Sequence, residues 1–192
     1  EALVAHQLEM ARYPATNGLP ALRQTIANWA SQRFQLRELD SERHVVPVNG
    51  TREAIFAFVQ AALDRTRPAK VAVPNPFYQI YEGATLLAGG EPLYLDCTAE
   101  NNFRPDVNAV PAATWRDVQI VFICSPGNPT GAVTPLDEFK QLIALADEHD
   151  FIIASDECYS EIYLDETAPP PGLLQACADL GRDDYRRCVV FH

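Results

Sequence analysis

The sequence predicts an α/β fold, a three-layer αβα arrangement with a mostly parallel central sheet. Two observations support this fold class. Short apolar runs rich in valine and isoleucine alternate along the chain with longer segments of helical periodicity. In addition, residues 120–123 read Ile-Val-Phe-Ile, without polar residues in alternate positions, which is typical of a strand buried on both faces of a parallel sheet.

The elements are predicted in chain order. Residues 1–10 are interpreted as the end of a helix or loop. Pro20 begins a helix whose predicted buried face comprises Leu22, Ile26, Trp29, Ala30 and Phe34. The predicted strands are residues 45–48, 70–73, 91–95, 120–123, 151–154 and 189–191. The other predicted helices are residues 54–63, 79–87, 134–149 and 173–180.

Length and composition exclude several classes of protein. With 192 residues, 47% of them hydrophobic, the chain is long enough to bury one sizeable core. The formal net charge of -11 argues against a nucleic-acid partner, because proteins that bind phosphate backbones usually present a basic surface. No apolar run approaches the ~20 residues that a membrane-spanning helix needs, so no membrane partner is expected.

The cysteines and histidines indicate neither a disulfide framework nor a metal site. The five cysteines are scattered and include no Cys-x-x-Cys pair, which favours a reducing, cytoplasmic location. The four histidines show no metal-ligand spacing among themselves or with the cysteines. We therefore expect no bound metal ion.

Polar turns follow two of the predicted strands. The strand at residues 120–123 ends in the loop 125–131, whose prolines and glycines indicate a fixed, non-repeating turn. The strand that begins at Phe151 is followed at once by further polar residues. Because the carboxyl ends of neighbouring parallel strands meet at one crevice, we expect Asn128, Asp156 and Tyr159 to face a common ligand.

A second candidate binding feature lies between the strand at 45–48 and the next helix. Gly50 provides a turn, and Thr51 and Arg52 begin the helix. The free N–H groups and the positive dipole end of a helix N-terminus form a ready site for an anion. Taken alone, this pattern is explained equally well if Thr51 and Glu53 only cap the first turn of the helix.

Five motifs occur in order along the whole chain. They are Tyr13-Pro14 with Gly18 and Leu22-Arg23; Gly50-Thr51-Arg52; Pro76-Phe77-Tyr78; Asn128-Pro129-Thr130-Gly131; and Asp156-Glu157-Cys158-Tyr159. Together they resemble the pyridoxal-phosphate-dependent aminotransferases of fold type I, classes I and II. The resemblance implies an aminotransferase and the large, cofactor-binding domain of that fold.

The resemblance also implies pyridoxal 5'-phosphate as the cofactor and a role for each residue of the crevice. Asp156 would hold the ring nitrogen, whose pKa a neighbouring carboxylate raises. Asn128 and Tyr159 would donate hydrogen bonds to the phenolic oxygen of the ring. Tyr78 occupies the position of the aromatic residue that stacks on the ring.

The phosphate contacts and the oligomeric state are implied in the same way. Gly50, Thr51 and Arg52 would bind the phosphate of the cofactor. Tyr13 matches a tyrosine that reaches the phosphate of the neighbouring subunit's cofactor. The expected partners are therefore amino-acid and oxo-acid substrates and a second copy of the chain in a homodimer.

Each of these residues also has a simpler explanation. Asp156 would cap the turn after its strand, and Asn128 would stabilise its own turn. Tyr78 and Tyr159 would be aromatic residues at the rim of a cleft. The order of the motifs and their positions at strand ends favour the cofactor roles.

The family uses a lysine as the catalytic base, which also forms the covalent bond to the cofactor. The resemblance places this Schiff-base lysine in a Ser-x-Ser-Lys motif after a strand, and we expect it after His192. Lys70 and Lys140 do not match the motif. Residues 1–192 are therefore interpreted as a partial cofactor-binding large domain, without the N-terminal arm and the C-terminal small domain, and inactive by itself.

A finer resemblance concerns the substrate. The segments around Tyr78, Asn128 and Asp156 resemble the bacterial succinyldiaminopimelate aminotransferases of lysine biosynthesis. Those enzymes exchange an amino group between glutamate and an N-succinylated 2-amino-6-oxopimelate, with 2-oxoglutarate as the other product. The alternatives are another class I or II aminotransferase, a carbon–sulfur lyase, the cofactor-sensing domain of an aminotransferase-like transcription regulator, and a scaffold protein that binds no cofactor.

Overall fold

The computed structural model describes residues 1–7, 11, 13–37 and 39–192. Its helices are α1 (Ala2–Ala5), α2 (Pro20–Arg33), α3 (Thr51–Ala62), α4 (Ile80–Leu87), α5 (Leu136–His149) and α6 (Leu173–Asp179). Its strands are β1 (Lys70–Asn75), β2 (Glu91–Asp96), β3 (Val118–Cys124), β4 (Ile152–Asp156) and β5 (Cys188–Phe191). The element predicted for residues 1–10 is described only in part, since residues 8–10 lie outside the described residues.

The strands form one parallel sheet in the order β2-β1-β3-β4-β5. The chain runs outward from β1 to β2 and then returns to place β3 on the other side of β1. The direction in which strands are added therefore reverses between β1 and β3, which is the point where ligands bind in open α/β sheets. Three short 3-10 helices, Ala99–Asn101, Val107–Ala109 and Thr114–Asp117, connect β2 to β3.

Helices cover both faces of the sheet, and strand β3 shows why. Ile120 and Phe122 pack with α3 and α4 on one face, while Val121 and Ile123 pack with α2, α5 and α6 on the other. All four side chains are buried, because successive residues of a strand point to opposite faces. The arrangement confirms the predicted three-layer α/β fold. No helix of the described residues is long and apolar enough to cross a membrane.

The predicted strand at residues 45–48 is wrong. This described segment has no strand pairing, and Val46 and Val48 are exposed. Pro47 has no N–H to donate to a neighbouring strand, which disfavours a central position in a sheet. The chain therefore enters α3 from an irregular segment.

The predicted buried face of α2 is wrong in part. Leu22 and Trp29 are exposed, whereas Arg23 and Ala27 are buried. Arg23 is only 4% exposed, and its guanidinium donates a hydrogen bond of 2.8 Å to the carboxylate of Glu42. This ion pair compensates part of the cost of burying the charge, so the buried face is rotated relative to the apolar pattern.

Glu157 joins the end of β4 to the start of α6. Its side chain is 1% exposed. The carboxylate accepts hydrogen bonds from the Ser155 hydroxyl at 2.7 Å and from the Leu173 N–H at 2.9 Å. His192 Nε2 lies 3.7 Å from Glu157 Oε2. Burial raises the pKa of Glu157 to about 7, and burial lowers the pKa of His192 to about 4.

The raised pKa of Glu157 predicts a pH-dependent stability. Between the ordinary pKa of 4.5 and the folded value of about 7, the folded protein holds a proton that the unfolded chain releases. The contribution of Glu157 to the free energy of unfolding therefore falls as pH rises through this window. In Glu157→Gln the amide oxygen still accepts hydrogen bonds and does not ionise. We expect the free energy of unfolding of the variant to rise by up to about 3 kcal/mol relative to that of the wild type as the pH passes through this window.

Urea denaturation of both proteins at about pH 5 and about pH 8 measures this difference. His192 contributes with the opposite sign, because its lowered pKa makes stability rise between pH 4 and its ordinary value, but it is present in both proteins. A stability difference that stays the same at both pH values contradicts the prediction.

Candidate functional site

The candidate site lies where the carboxyl ends of β1, β3 and β4 meet. Asp156, the last residue of β4, is paired in register with Cys124, the last residue of β3. The N–H of Ser125 donates a hydrogen bond of 3.0 Å to the Asp156 carbonyl oxygen. The turns that follow these two strands therefore start from one fixed point of the sheet.

The carboxylate of Asp156 is buried without a cation. The residue is 6% exposed, and Oδ2 accepts a hydrogen bond of 2.7 Å from the Tyr81 hydroxyl. The Cys158 N–H lies 3.4 Å from Oδ1, a long contact. In the described part of the chain, no lysine, arginine or histidine forms an ion pair with it. Because a buried carboxylate is costly unless its charge is compensated, this position suits a positively charged ligand group.

Tyr81 connects Asp156 to the hydrophobic core. It is fully buried, and its ring stacks on Phe122 with centroids 4.7 Å apart and an interplanar angle of 15°. Tyr78 packs edge-on against the same ring at 5.9 Å. Burial and the nearby Cys124 and Asp156 raise the pKa of Tyr81 far above its usual value, so its hydroxyl stays a donor. Tyr81 is not among the residues predicted for the site, although its spacing of three residues from Tyr78 was a usable signal.

The N-terminus of α3 reaches the same crevice. Gly50 precedes the helix at φ 157° and ψ 149°, a backbone conformation found essentially only for glycine, and provides no side chain to cap the helix. The Cys158 thiol donates a hydrogen bond of 3.1 Å to Thr51 Oγ1. Burial, followed by the neighbouring Asp156 carboxylate, raises the pKa of Cys158 to about 12. The thiol is therefore neutral and links the turn after Asp156 to the start of α3.

The structure thus brings Thr51, Tyr78 and Asp156 into one connected region. Asn128 is exposed in the turn after β3, and its N–H is directed to the Cys124 thiol. Tyr159 is half-exposed in the turn after β4.

Two further predicted phosphate ligands are exposed. Arg52, in the first turn of α3, is exposed. Tyr13 is fully exposed, and the structure places it in no contact with the crevice. Arg12, which precedes Tyr13, lies outside the described residues. The cofactor roles of all these residues stay predictions.

Comparison with known proteins identifies the family. Residues 2–190 match the family model of aminotransferase class I and II. The chain belongs to the class I and II aminotransferase family. A related sequence, the LL-diaminopimelate aminotransferase of Desulforudis audaxviator, is 41% identical over 168 residues, which cover 87% of this chain and 42% of that protein.

Solved structures support this membership. An aminotransferase from Neisseria meningitidis Z2491 is 47% identical with a TM-score of 0.92, over 99% of this chain and 48% of that one. A double mutant of Thermus thermophilus aspartate aminotransferase is 27% identical with a TM-score of 0.80, over 98% of this chain and 46% of that one. This class I and II aminotransferase chain therefore spans less than half the length of these relatives.

The hydrogen bond between Tyr81 and Asp156 predicts a loss of stability in Tyr81→Phe. The substitution removes only the hydroxyl and leaves a buried carboxylate without its best donor. We expect the free energy of unfolding to fall by about 1–3 kcal/mol, measured by urea denaturation of the cofactor-free protein.

Tyr94→Phe is the matched control for this prediction. Tyr94 also donates its hydroxyl to a carboxylate, that of Glu82, but both groups are exposed. Water replaces such a hydrogen bond readily, so we expect a much smaller loss. Equal losses in the two variants would show that burial of Asp156 does not make its hydrogen bond important.

Proposed function

We propose that the protein binds pyridoxal phosphate at the carboxyl ends of β1, β3 and β4 and transfers amino groups between amino acids and oxo acids. One observation carries the proposal. The buried carboxylate of Asp156 and the uncapped N-terminus of α3 are joined through the contact of 3.1 Å between Cys158 and Thr51. A cation-binding group and an anion-binding group thus lie side by side, as a cofactor with a protonated ring and a phosphate requires.

The residues present fit the two ends of this cofactor. A protonated ring nitrogen would supply the positive charge that the buried Asp156 lacks, and the carboxylate would keep that nitrogen protonated. The free N–H groups of Thr51 and Arg52 and the dipole of α3 would hold the phosphate. Gly50 has no side chain that could cap these N–H groups.

When bound, pyridoxal phosphate supplies an electron sink that stabilises negative charge at the substrate's α-carbon. The protein's part is to hold the charges and the orientation that this requires. Tyr81 fixes the Asp156 carboxylate through its hydroxyl. Tyr78 would provide an aromatic face for the ring, and Asn128 and Tyr159 would donate hydrogen bonds to the phenolic oxygen.

The two lysines of the chain lie away from the crevice. Lys70 begins β1, at the opposite end of the sheet from Asp156, and pairs with Glu91 at 2.9 Å. Lys140 lies on α5 and pairs with Asp179 at 3.1 Å. We therefore propose that neither lysine binds the cofactor covalently and that the Schiff-base lysine follows His192.

The proposal includes a second copy of the chain. In a homodimer the fully exposed Tyr13 would reach the phosphate of the neighbouring subunit's cofactor. A contact with the neighbouring subunit would explain why Tyr13 lies away from the crevice of its own chain.

For the substrate, we propose a diaminopimelate derivative in lysine biosynthesis, with glutamate and 2-oxoglutarate as the other amino donor and acceptor and a cytoplasmic location. The N-succinylated derivative is supported by the motifs around Tyr78, Asn128 and Asp156. Unmodified LL-diaminopimelate is the second candidate, because related proteins carry that name.

A coupled assay separates these substrates. The full-length protein with pyridoxal phosphate and 2-oxoglutarate is given either N-succinyl-LL-diaminopimelate or LL-diaminopimelate, and glutamate formation is measured. We expect glutamate with the succinylated compound. Glutamate only with the unmodified compound would assign the second candidate, and glutamate with neither would overturn the assignment to diaminopimelate derivatives.

The role of Asp156 predicts a loss of cofactor affinity in Asp156→Ala. Truncating one member of a buried charge pair costs several kcal/mol, so we expect the affinity for pyridoxal phosphate to weaken by roughly 30-fold or more. Equilibrium dialysis against pyridoxal phosphate measures this independently of turnover.

Asp96→Ala is the control for this measurement. Asp96 also ends a strand at the same edge of the sheet, but its side chain is exposed and accepts a hydrogen bond of 2.8 Å from Asn75. We expect unchanged affinity in this variant. Equal affinities for the Asp156 variant and the wild type would favour a scaffold without cofactor or a different binding site.

A further inference from the structure

Two thiols meet outside the proposed cofactor site. Cys177 lies in the second turn of α6 and Cys188 is the first residue of β5, and their sulfur atoms are 3.4 Å apart. Cys177 is fully buried, whereas Cys188 is partly accessible. The other three thiols contact oxygen atoms instead: Cys97 that of Leu95, Cys124 that of Pro126 and Cys158 that of Thr51.

The surroundings of the pair favour the release of one proton. The hydrogen bond between the thiols lowers the pKa of Cys177, and the guanidinium of Arg182 lowers it further, against the effect of burial. The same hydrogen bond, together with burial, raises the pKa of Cys188. Asp147 holds Arg182 in place through two hydrogen bonds, of 2.6 Å and 3.1 Å. The pair therefore loses a first proton more readily than a second one.

The more exposed residue of the pair, Cys188, can carry the negative charge. Because one proton remains between sulfur atoms 3.4 Å apart, it can reside on either of them. When it resides on Cys177, the negative charge is on Cys188, the thiol that an oxidant can reach. The thiolate is the reactive form of cysteine toward peroxides.

We propose that Cys177 and Cys188 form a disulfide when the protein is exposed to a hydroperoxide. In the first step the Cys188 thiolate attacks hydrogen peroxide, which breaks the O–O bond, gives a sulfenic acid and releases hydroxide. In the second step the Cys177 sulfur, having lost its proton, attacks the sulfenic sulfur and hydroxide leaves. In sum, two thiols and one peroxide yield a disulfide and two waters, and the sulfur atoms lose two electrons to the peroxide.

The structure requires only a small movement for this bond. The sulfur atoms must approach from 3.4 Å to about 2.05 Å, the length of a disulfide bond. The bond would tie α6 to β5, the strand that pairs with β4. Cross-linking restricts the unfolded chain, so we expect the oxidised protein to unfold at higher urea concentration than the reduced protein.

Peptide mapping tests the proposal. The fully reduced protein is treated with hydrogen peroxide, its free thiols are alkylated, and it is digested without reduction. We expect a cross-linked peptide that contains Cys177 and Cys188, with Cys97, Cys124 and Cys158 recovered in alkylated form. The same treatment in urea should lose this selectivity, because the pairing depends on the fold.

Serine variants provide the controls. Cys177→Ser and Cys188→Ser each retain a hydrogen-bonding group and should give no cross-linked peptide, whereas Cys97→Ser should give it as the wild type does. Recovery of Cys177 and Cys188 as separate alkylated or separately oxidised residues in the folded wild type would overturn the proposal. This result needs no variant, so it decides the question even if a serine variant does not fold. It is also independent of cofactor binding.

Discussion

The burial of two consecutive carboxylates at the end of β4 is the constraint on which the site depends. Asp156 and Glu157 point to opposite sides of the sheet, as successive residues of an extended chain do. Glu157 faces α6, where a serine hydroxyl and a backbone N–H hold it and burial raises its pKa to about 7. Asp156 faces α4 and receives one tyrosine hydroxyl. Glu157 thus connects β4 to α6, and Asp156 remains available to a positively charged ligand.

The order of the strands determines what surrounds Asp156. Because strand addition reverses between β1 and β3, the turns after these strands diverge and leave a crevice at their carboxyl ends. Asp156 ends the next strand, β4, and Tyr81 lies in the first turn of α4, the helix that follows β1. Tyr81 stacks on Phe122 of β3, and both rings belong to the core that packs α3 and α4 against the sheet. Movement of the carboxylate would therefore disturb the packing between α4 and the sheet, and such packing resists displacement.

Much of this arrangement follows from the sequence, and the exceptions have a common physical cause. A strand such as β3, buried on both faces, leaves a local apolar pattern, and the polar turn after it is equally local. The contact between Tyr81 and Asp156 joins residues separated by 75 positions, and the contact between Thr51 and Cys158 joins residues separated by 107. The buried Arg23 pairs with Glu42, 19 positions away. Such partners are set by tertiary structure, so local pattern identifies most of the elements but not these polar contacts.

The residues around Asp156 determine the choice of substrate less than they determine the proposed cofactor site. The same half of the fold occurs in proteins named for aspartate and for LL-diaminopimelate, at identities of 27% and 41% to this chain. The residues that link Asp156, Tyr81 and the start of α3 are bound into strands, helices and the core, where a change of shape costs stability. Exposed positions that neither pack in this core nor hold the cofactor carry no such cost. Differences in substrate between members of the family therefore have to arise at the rim of the crevice or in parts of the protein outside this core.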